Sequence, residues 1–282
     1  MALKFDKITG NDEIFKNPEY MADSIIFNSI ESARNDENYE IYSDHKNVII
    51  STSKTGNRVW IWTSSAIKND TAKLIDICRF LRDCNIPKVE IYVKQDVSGN
   101  LSDLYALTSL DLDYVVKDEF SLAVFTQKSK EPAVMPELSS DEKIEKIDRN
   151  NPAHVRMVKE FYEQCRTEFR WNEKFDRKVE EYLNMELYAL VKSQKIVAVA
   201  AIGSQTEDYM RIKSVAVLKP ERSKGFGTKM CTFVSNAIKE KGFTPILYSH
   251  VGNAPAMALW SKTGFRLNDK LYLLKIEDSN ES

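Results

Sequence analysis

The segment from Lys213 to Gly242 combines a strand, a glycine-containing loop and an amphipathic helix, and it constrains the fold more than the rest of the chain. The apolar residues at 213–218 predict a buried strand. In the helix predicted over 227–241, apolar residues recur at a period of about 3.6 residues: Met230, Phe233, Val234, Ala237 and Ile238. Gly242 is a residue type that ends such helices. The segment therefore predicts a β-loop-α unit of an α/β protein.

The loop of this unit reads Arg222-Ser223-Lys224-Gly225-Phe226-Gly227-Thr228. The first N–H groups of a helix lack partners within the helix and carry partial positive charge, so they suit a phosphate. Gly225 and Gly227 let the backbone approach an anion, while Arg222 and Lys224 add charge. The dinucleotide-binding fingerprint and the Gly-Lys-Ser/Thr phosphate loop are excluded, because their other residues are missing. The loop predicts a phosphate-bearing ligand, with a helix-capping turn that needs no ligand as the alternative.

The length of 282 residues predicts two domains, because single domains usually hold roughly 100–200 residues. The boundary is predicted at 129–140, where Pro132, Pro136 and several polar residues interrupt the apolar periodicity. This linker separates a predicted N-terminal α/β domain at 1–128 from a C-terminal domain at 141–282.

The two halves show a similar order of predicted elements. The first half has predicted helices at 21–33, 71–83 and 101–110, strands at 47–53, 58–63 and 88–93, and two strands flanking Lys117-Asp118. The second half has predicted helices at 152–166, 175–185, 227–241 and 255–262, strands at 187–192, 196–204, 209–218 and 245–251, and a strand pair around Asn268-Asp269. The common order favours a distant internal duplication, with an unrelated α/β domain as the alternative.

Composition argues against several other classes of protein. The net charge of −2 and the pI of about 6.1 provide no basic footprint for nucleic acid. No apolar run reaches the roughly 18 residues of a membrane span, and the charged N-terminus lacks the apolar core of a signal peptide. The cysteines, Cys78, Cys84, Cys165 and Cys231, are interpreted as reduced thiols, and the three scattered histidines predict no metal site. We therefore predict a cytoplasmic protein without membrane or nucleic-acid partners.

Two stretches together resemble one known family. Val217 followed by Arg222-x-x-Gly225-x-Gly227 at the start of a helix resembles the coenzyme A motif of the GNAT superfamily of N-acyltransferases. Downstream, 253–265 is similar to the Asn-x-x-Ala, aromatic, Gly-Phe signature of that family. The resemblance implies a twisted mixed β-sheet flanked by helices in the C-terminal domain. The N-terminal half would then be a degenerate GNAT-like copy, because Thr63–Asp70, the counterpart of the phosphate loop, has no glycine.

The resemblance implies that the protein transfers an acyl group, in the first place acetyl, from acyl-CoA to a primary amine by direct attack in a ternary complex.

 Acetyl-CoA or another acyl-CoA is the implied co-substrate, with no metal. The implied coenzyme-binding residues are Val215, Val217, Arg222, Ser223, Lys224, Gly225, Phe226, Gly227, Thr228, Asn253 and Trp260. For Asn253, the alternative is a helix N-cap.

One departure from the family pattern affects the predicted chemistry. Trp260 stands where many family members have a tyrosine that protonates the leaving thiolate, and an indole N–H is only a hydrogen-bond donor. Tyr248 and His250 are the candidate catalytic substitutes, since strand alternation puts them on one face. The alternatives are a packing role for Tyr248 and a surface role for His250.

The acceptor amine is not identified by the sequence. The segment 167–175, between two predicted helices, is expected to shape its pocket, with Glu168 or Glu173 as counter-ion or with its aromatic residues only pinning the loop. Two other functions stay open: a non-catalytic coenzyme A-binding sensor or regulatory protein, and a structural tandem that binds no ligand. A homodimer is a further expectation, since exposed sheet edges in such folds often pair.

Overall fold

The computed structural model describes residues 2–9, 11–34, 36–54, 58–84, 88–94, 97, 101, 114–127, 129–169 and 175–278. Its contacts divide the chain into two units. Unit 1 comprises Met1–Val124, Tyr248–Asn253 and Leu267–Ser282, and unit 2 comprises Phe125–Leu247 and Ala254–Arg266.

Unit 1 is a mixed sheet with helices. Its helices are α1 (Pro18–Met21), α2 (Ser24–Arg34) and α3 (Thr71–Asp83). Its strands lie in the order β1 (Asp6–Lys7), β2 (Tyr39–Ser43), β3 (Val48–Ser53), β4 (Arg58–Thr63), β5 (Lys88–Lys94), β12 (Arg266–Asp278) and β6 (Tyr114–Thr126). The last residues of β6 and the first residue of β12 belong to unit 2.

The core of unit 1 follows from the alternation of its strands and the stripe of α3. The Asp70 carboxylate caps α3 by accepting the N–H of Lys73. The buried apolar face of α3 packs on the inward-facing residues of three strands: Leu74, Ile77, Cys78 and Leu81 against Val48, Ile50, Val59, Ile61, Ile91 and Val93. Leu274 of β12 belongs to the same cluster, so the C-terminal strand completes this core.

Unit 2 has a five-stranded sheet with helices on both faces. Its strands lie in the order β11 (Thr244–His250), β10 (Tyr209–Val217), β9 (Lys195–Gln205), β8 (Glu186–Lys192) and β7 (Glu142–Lys146). Its helices are α4 (Pro152–Phe169), α5 (Phe175–Leu183), α6 (Phe226–Glu240) and α7 (Ala254–Lys262). Consecutive residues of β8 and β9 are buried, as expected for a sheet covered on both faces.

Most predicted elements are confirmed within a few residues, including the helix at 71–83 and the strand, loop and helix between Lys213 and Gly242. The predicted breaks at Lys117-Asp118 and Asn268-Asp269 are wrong, because β6 and β12 each continue through them. At Asn268-Asp269, both polar side chains find partners elsewhere in unit 1, so the strand can continue. Asn268 donates to Ser24 Oγ at 3.3 Å, and Asp269 forms an ion pair with Lys94 at 3.3 Å. The short strands β2 and β7 were not predicted. The predicted helix at 101–110 lies outside the described residues except for Leu101.

The two units interrupt each other along the chain. Strand β12 follows the C-terminal signature but pairs antiparallel with β5, from Leu271↔Lys94 to Glu277↔Lys88. The units therefore differ from the contiguous domains at 1–128 and 141–282, a division that stays a prediction. The predicted linker is attached to α6 of unit 2, since Asn236 exchanges two hydrogen bonds with the backbone of Ala133, at 2.7 and 2.8 Å.

Candidate active site

The loop at the start of α6 presents a row of backbone N–H groups. Residue Ser223 (φ 64°) and Gly225 (φ 87°) both adopt left-handed conformations, and the helix begins at Phe226. A Cβ built at Gly225 would meet no atom within 4 Å. Among the described residues, the N–H groups from Gly225 to Thr228 donate no backbone hydrogen bond to the loop, whereas Lys229 N–H begins the helical pattern by donating to Gly225 O at 3.0 Å. The arrangement suits an anion.

Two basic side chains border this loop and are paired with carboxylates. Arg222 forms an ion pair with Glu168 of α4, and its Nε donates to the carbonyl of Val217 at 3.2 Å. Lys224 pairs with Glu221 at 3.1 Å. Both basic side chains are about half exposed (50% and 53%), so a bound anion could exchange with the carboxylates.

The second glycine lies beside apolar side chains. A Cβ at Gly227 would lie 3.4 Å from Leu259 of α7 and 3.7 Å from Val217 of β10. The neighbouring Phe226 is buried, with the ammonium groups of Lys192 and Lys229 near its ring at 5.3 and 5.7 Å. Phe226 can therefore contribute to the predicted site through its backbone, while Thr228 is half-buried in the first turn of α6.

Strands β10 and β11 pair over only part of their length. Their parallel register runs from Tyr209↔Thr244 to Arg211↔Ile246, whereas β10 continues along β9 as far as Val217↔Ala198. The edge of β10 that carries Val215 and Val217 is therefore not paired with β11. Both side chains are half-buried, and their backbone edge is the one predicted to contact the pantetheine arm.

Trp260 lies in α7 and is 7% exposed, with its ring 6.2 Å from that of Phe265. Its indole Nε1 is buried and has no hydrogen-bond partner among the described residues. The carbonyl of Trp260 and that of Leu259 both accept from Thr263 Oγ1, which holds the end of α7. The indole fills space here and offers no titratable proton.

Tyr248, His250 and Asn253 belong to unit 1. Tyr248 lies against the rings of Trp60 and Tyr92, with centroid distances of 6.4 and 6.2 Å. His250 is exposed at the end of β11, where desolvation and the charge of Lys275 lower the pKa of its imidazole, opposed by Glu90. Asn253 directly precedes α7, and its N–H donates to the carbonyl of His250 at 3.0 Å.

Unit 1 repeats the strand arrangement without the open loop. Its parallel strands β4 and β5 also pair over a short register, from Arg58↔Glu90 to Trp60↔Tyr92. In the following loop, Glu19 accepts the N–H of Ser65 at 2.8 Å and its hydroxyl at 3.0 Å. These hydrogen bonds lower the pKa of Glu19. In unit 1 the carboxylate of Glu19 therefore accepts a loop N–H group, that of Ser65. In the corresponding loop of unit 2, the N–H groups from Gly225 to Thr228 have no backbone acceptor among the described residues.

The predicted acceptor segment is described only in part. Glu168 and Phe169 end α4 and Phe175 begins α5, whereas Glu173 lies outside the described residues. A cleft of about 750 Å³ in unit 2 is lined by α4, Phe175, Val197 and Pro220. Its lining extends to Glu221, the residue before the loop, but contains none of the predicted site residues.

Two features are absent from the described part of the chain. It contains no group of three His, Cys, Asp or Glu residues that could hold a metal ion. It also contains no helix with the length and hydropathy needed to cross a membrane.

The four cysteines are free thiols, and burial raises the pKa of Cys165 to about 11 and that of Cys231 to about 12.

Solved structures share this fold over almost the whole chain. A Drosophila protein matches with a TM-score of 0.68 and 12% identity, covering 98% of this chain and 99% of its own. A GCN5-related N-acetyltransferase from Sphaerobacter thermophilus matches with a TM-score of 0.65 and 13% identity, covering 98% and 96%. A tandem GNAT protein from the clavulanic acid biosynthesis pathway matches with a TM-score of 0.57 and 9% identity, covering 99% of each chain.

The sequence comparisons locate the family within the chain. No curated protein matches the sequence significantly. The model of the acetyltransferase (GNAT) family matches residues 155–265, which include β10, the phosphate loop, α6 and the signature in α7. The chain therefore carries an acetyltransferase domain of the GNAT family, within a fold that it shares with tandem GNAT proteins.

Proposed function

We propose that the protein is an N-acyltransferase that moves an acyl group, foremost acetyl, from acyl-CoA to a primary amine by direct attack in a ternary complex. The observation that carries the proposal is the loop from Ser223 to Thr228, in which the N–H groups from Gly225 to Thr228 have no backbone acceptor among the described residues. It stands beside the edge of β10 that β11 leaves unpaired. Together they offer a phosphate-binding end and a backbone edge for one extended ligand.

The residues of the loop fit the pyrophosphate of coenzyme A. The free space at Gly225 leaves room for an anion, and the guanidinium of Arg222 can bind two phosphate oxygens. Val215 and Val217 would bind the pantetheine arm through their backbone, with Asn253 and Trp260 near its far end as the family resemblance implies. When bound, the coenzyme supplies the acyl group as an activated thioester.

Acyl transfer also requires that the amine loses a proton and that the leaving thiolate gains one. An amine attacks only when it is neutral, so a base has to take up a proton. His250 suits this role because its lowered pKa leaves the imidazole neutral at pH 7. Tyr248 is the phenol available as a donor, since Trp260 carries no acidic proton.

A second function has one observation in its favour. Trp260 replaces the family's usual tyrosine acid, and its indole is buried without a hydrogen-bond partner among the described residues. A coenzyme A-binding sensor would keep the phosphate loop while losing this acid. Both functions require the protein to bind coenzyme A, but only the enzyme would transfer the acyl group and release free coenzyme A.

Isothermal titration with acetyl-CoA, beside desulfo-CoA and ATP, tests binding, and release of free thiol in an amine screen tests transfer. Binding with thiol release supports the enzyme, and binding without it supports the sensor. A folded protein that binds no coenzyme A would overturn both and favour a structural tandem.

Three buried free thiols support the predicted cytoplasmic location. The homodimer stays a prediction for sedimentation to test.

A further inference from the structure

A carboxylate of β7 is joined to the first turn of α6 by an ion pair inside unit 2. The Glu142 side chain is 5% exposed, and its Oε2 pairs with Nζ of Lys229, whose side chain is 15% exposed. The same oxygen accepts the N–H of Ser139 at 3.2 Å, and Oε1 lies 4.0 Å from Nζ of Lys192 in β8. Because removal of either partner would leave a shielded charge uncompensated, the pair resists separation.

The place of Lys229 in the helix explains why it needs a counter-charge. Lys229 directly follows the loop and belongs to the first turn of α6, which begins at Phe226. The start of a helix carries partial positive charge, so a cation there is unfavourable unless an anion offsets it. Glu142 offsets it and directs the Lys229 ammonium toward β7. The ion pair therefore fixes the start of α6 to the sheet of unit 2.

The two lysines that face Glu142 also contact the aromatic side chain of the loop. The Phe226 ring is 2% exposed, and its centroid lies 5.3 Å from Nζ of Lys192 and 5.7 Å from Nζ of Lys229. A cation near an aromatic face is attracted to it. Glu142 therefore orders the two ammonium groups, and these in turn hold the buried ring.

The buried ring anchors a stretch of backbone that has few other anchors. Phe226 stands between Gly225 and Gly227, which have no side chains, and Gly225 has a φ of 87°. Glycine gains conformational freedom from its missing Cβ, and freedom that is lost on binding lowers affinity. A contact that orders the backbone before the ligand arrives therefore strengthens binding.

We propose that Glu142 is a positioning residue of the coenzyme site. Through Lys229 and Lys192 it fixes the Phe226 ring, and thereby it holds the N–H groups from Gly225 to Thr228 in the arrangement that receives the pyrophosphate. The proposal rests on the proposed function and adds β7, which the family resemblance did not implicate. The alternative is an ion pair that stabilises unit 2 without affecting the loop.

The first test is the affinity of Glu142→Gln for acetyl-CoA, measured by isothermal titration. We expect its dissociation constant to rise about tenfold, because displacement of a binding group by its lost support has effects of this order or larger. KM for acetyl-CoA should rise by the same factor while kcat stays unchanged, since Glu142 touches no reacting atom. An unchanged dissociation constant in the folded variant would overturn the proposal. Tighter binding would also overturn it, because Glu142 would then be withholding Lys229 from the phosphate.

A double-mutant cycle tests the pairing with Lys229. Lys229→Gln should weaken binding, and the double variant should bind no more weakly than the weaker of the two single variants, because the residues act as one pair. Additive losses would show that Lys229 binds phosphate by itself and would overturn its positioning by Glu142.

Two control variants separate positioning from stability. Glu145→Gln removes the partner of Lys143 on the same strand and should leave the dissociation constant unchanged. Val179→Ala weakens the core of unit 2 at α5, away from the loop, and should also leave it unchanged. Urea denaturation gives the free energy of unfolding of each variant. If Val179→Ala and Glu142→Gln lose equal stability and equal affinity, the effect is structural and the positioning role is refuted.

A measurement without coenzyme distinguishes this proposal from the proposed function. The amide signals of Gly225 and Gly227 in ¹H–¹⁵N NMR spectra of the ligand-free protein report the order of the loop. In Glu142→Gln they should shift and exchange faster with solvent, whereas in Glu145→Gln they should not. If the native protein binds no acetyl-CoA, the proposed function fails, and these signals still decide whether Glu142 orders the loop. If acetyl-CoA binds while the signals and the affinity of Glu142→Gln are native, positioning by Glu142 is refuted and the coenzyme site stands.

Discussion

The guanidinium of Arg222 is held by the carboxylate of Glu168, which joins the first residue of the phosphate loop to the last turn of α4. Arg222 is a candidate phosphate ligand, and Glu168 leads into the segment predicted to shape the acceptor pocket. A phosphate that engages Arg222 must compete with Glu168. The ion pair therefore links the occupancy of the loop to the freedom of the Glu168 carboxylate.

Replacing Glu168 by Gln should strengthen coenzyme A binding. Partly exposed ion pairs contribute about 0–1 kcal/mol, so freeing Arg222 should lower the dissociation constant by about two- to fivefold. Isothermal titration at low ionic strength measures the change. Glu163→Gln is the matched control, because Glu163 pairs with Arg166 on the same helix. Weaker binding in Glu168→Gln would show instead that the carboxylate holds Arg222 in its binding position.

A charge at Gly225 should oppose the pyrophosphate. Gly225 has a φ of 87°, and a Cβ there meets no atom within 4 Å, so the strain expected at this atom comes from the backbone. Asn and Asp tolerate this conformation better than other residues and have the same shape. We expect Gly225→Asp to bind coenzyme A at least about tenfold more weakly than Gly225→Asn, a difference of about 1.4 kcal/mol. Equal affinities of the two folded variants would contradict the phosphate assignment.

The C-terminal strand should be essential to the stability of unit 1. Leu274 of β12 is fully buried in the core of that unit, whereas Leu267 of the same strand is 55% exposed. Leu274→Ala should lower the free energy of unfolding by about 2–5 kcal/mol, and Leu267→Ala by about 0.5 kcal/mol or less. Urea denaturation measures both. Equal effects would argue against the pairing of β12 with β5.

Two histidines should titrate on opposite sides of the ordinary pKa of about 6.5. The hydrogen bond to Asp12, at 2.6 Å, raises the pKa of His45, whereas desolvation and Lys275 lower that of His250. NMR titration of the imidazole protons, assigned with His45→Gln and His250→Gln, measures both. A pKa of His250 above that of His45 would contradict the contacts with Asp12 or with Lys275 from which the two shifts are argued.

The same shifts give opposite contributions to stability. His45 stabilises the fold below about pH 6.5, and this contribution is lost as pH rises through its raised folded-state pKa. His250 opposes folding at low pH, so its contribution to stability improves as pH rises from its lowered pKa to about 6.5. Urea denaturation of the two Gln variants across this range checks both signs.

Local sequence predicted much of the secondary structure and the loop between β10 and α6. The helix at 71–83 follows from the cap at Asp70 and an apolar stripe, and α6 follows from its own stripe and Gly242. Glycine spacing and basic residues predicted the loop because the conformations of Ser223 and Gly225 depend on neighbours in the chain. For Tyr248, the sequence left catalysis and packing open, and the structure adds its contacts with Trp60 and Tyr92.

The sequence by itself therefore determined an α/β chain with a GNAT-type loop between β10 and α6, since periodicity, caps and turns act within a few residues. Only the tertiary structure decided that β12 completes the core of unit 1, that Glu19 accepts a hydrogen bond from the N–H of Ser65, and that Glu168 forms an ion pair with Arg222. Each of these pairs residues distant in the chain. No local pattern encodes such partners, because they are selected by burial and charge once the strands have assembled.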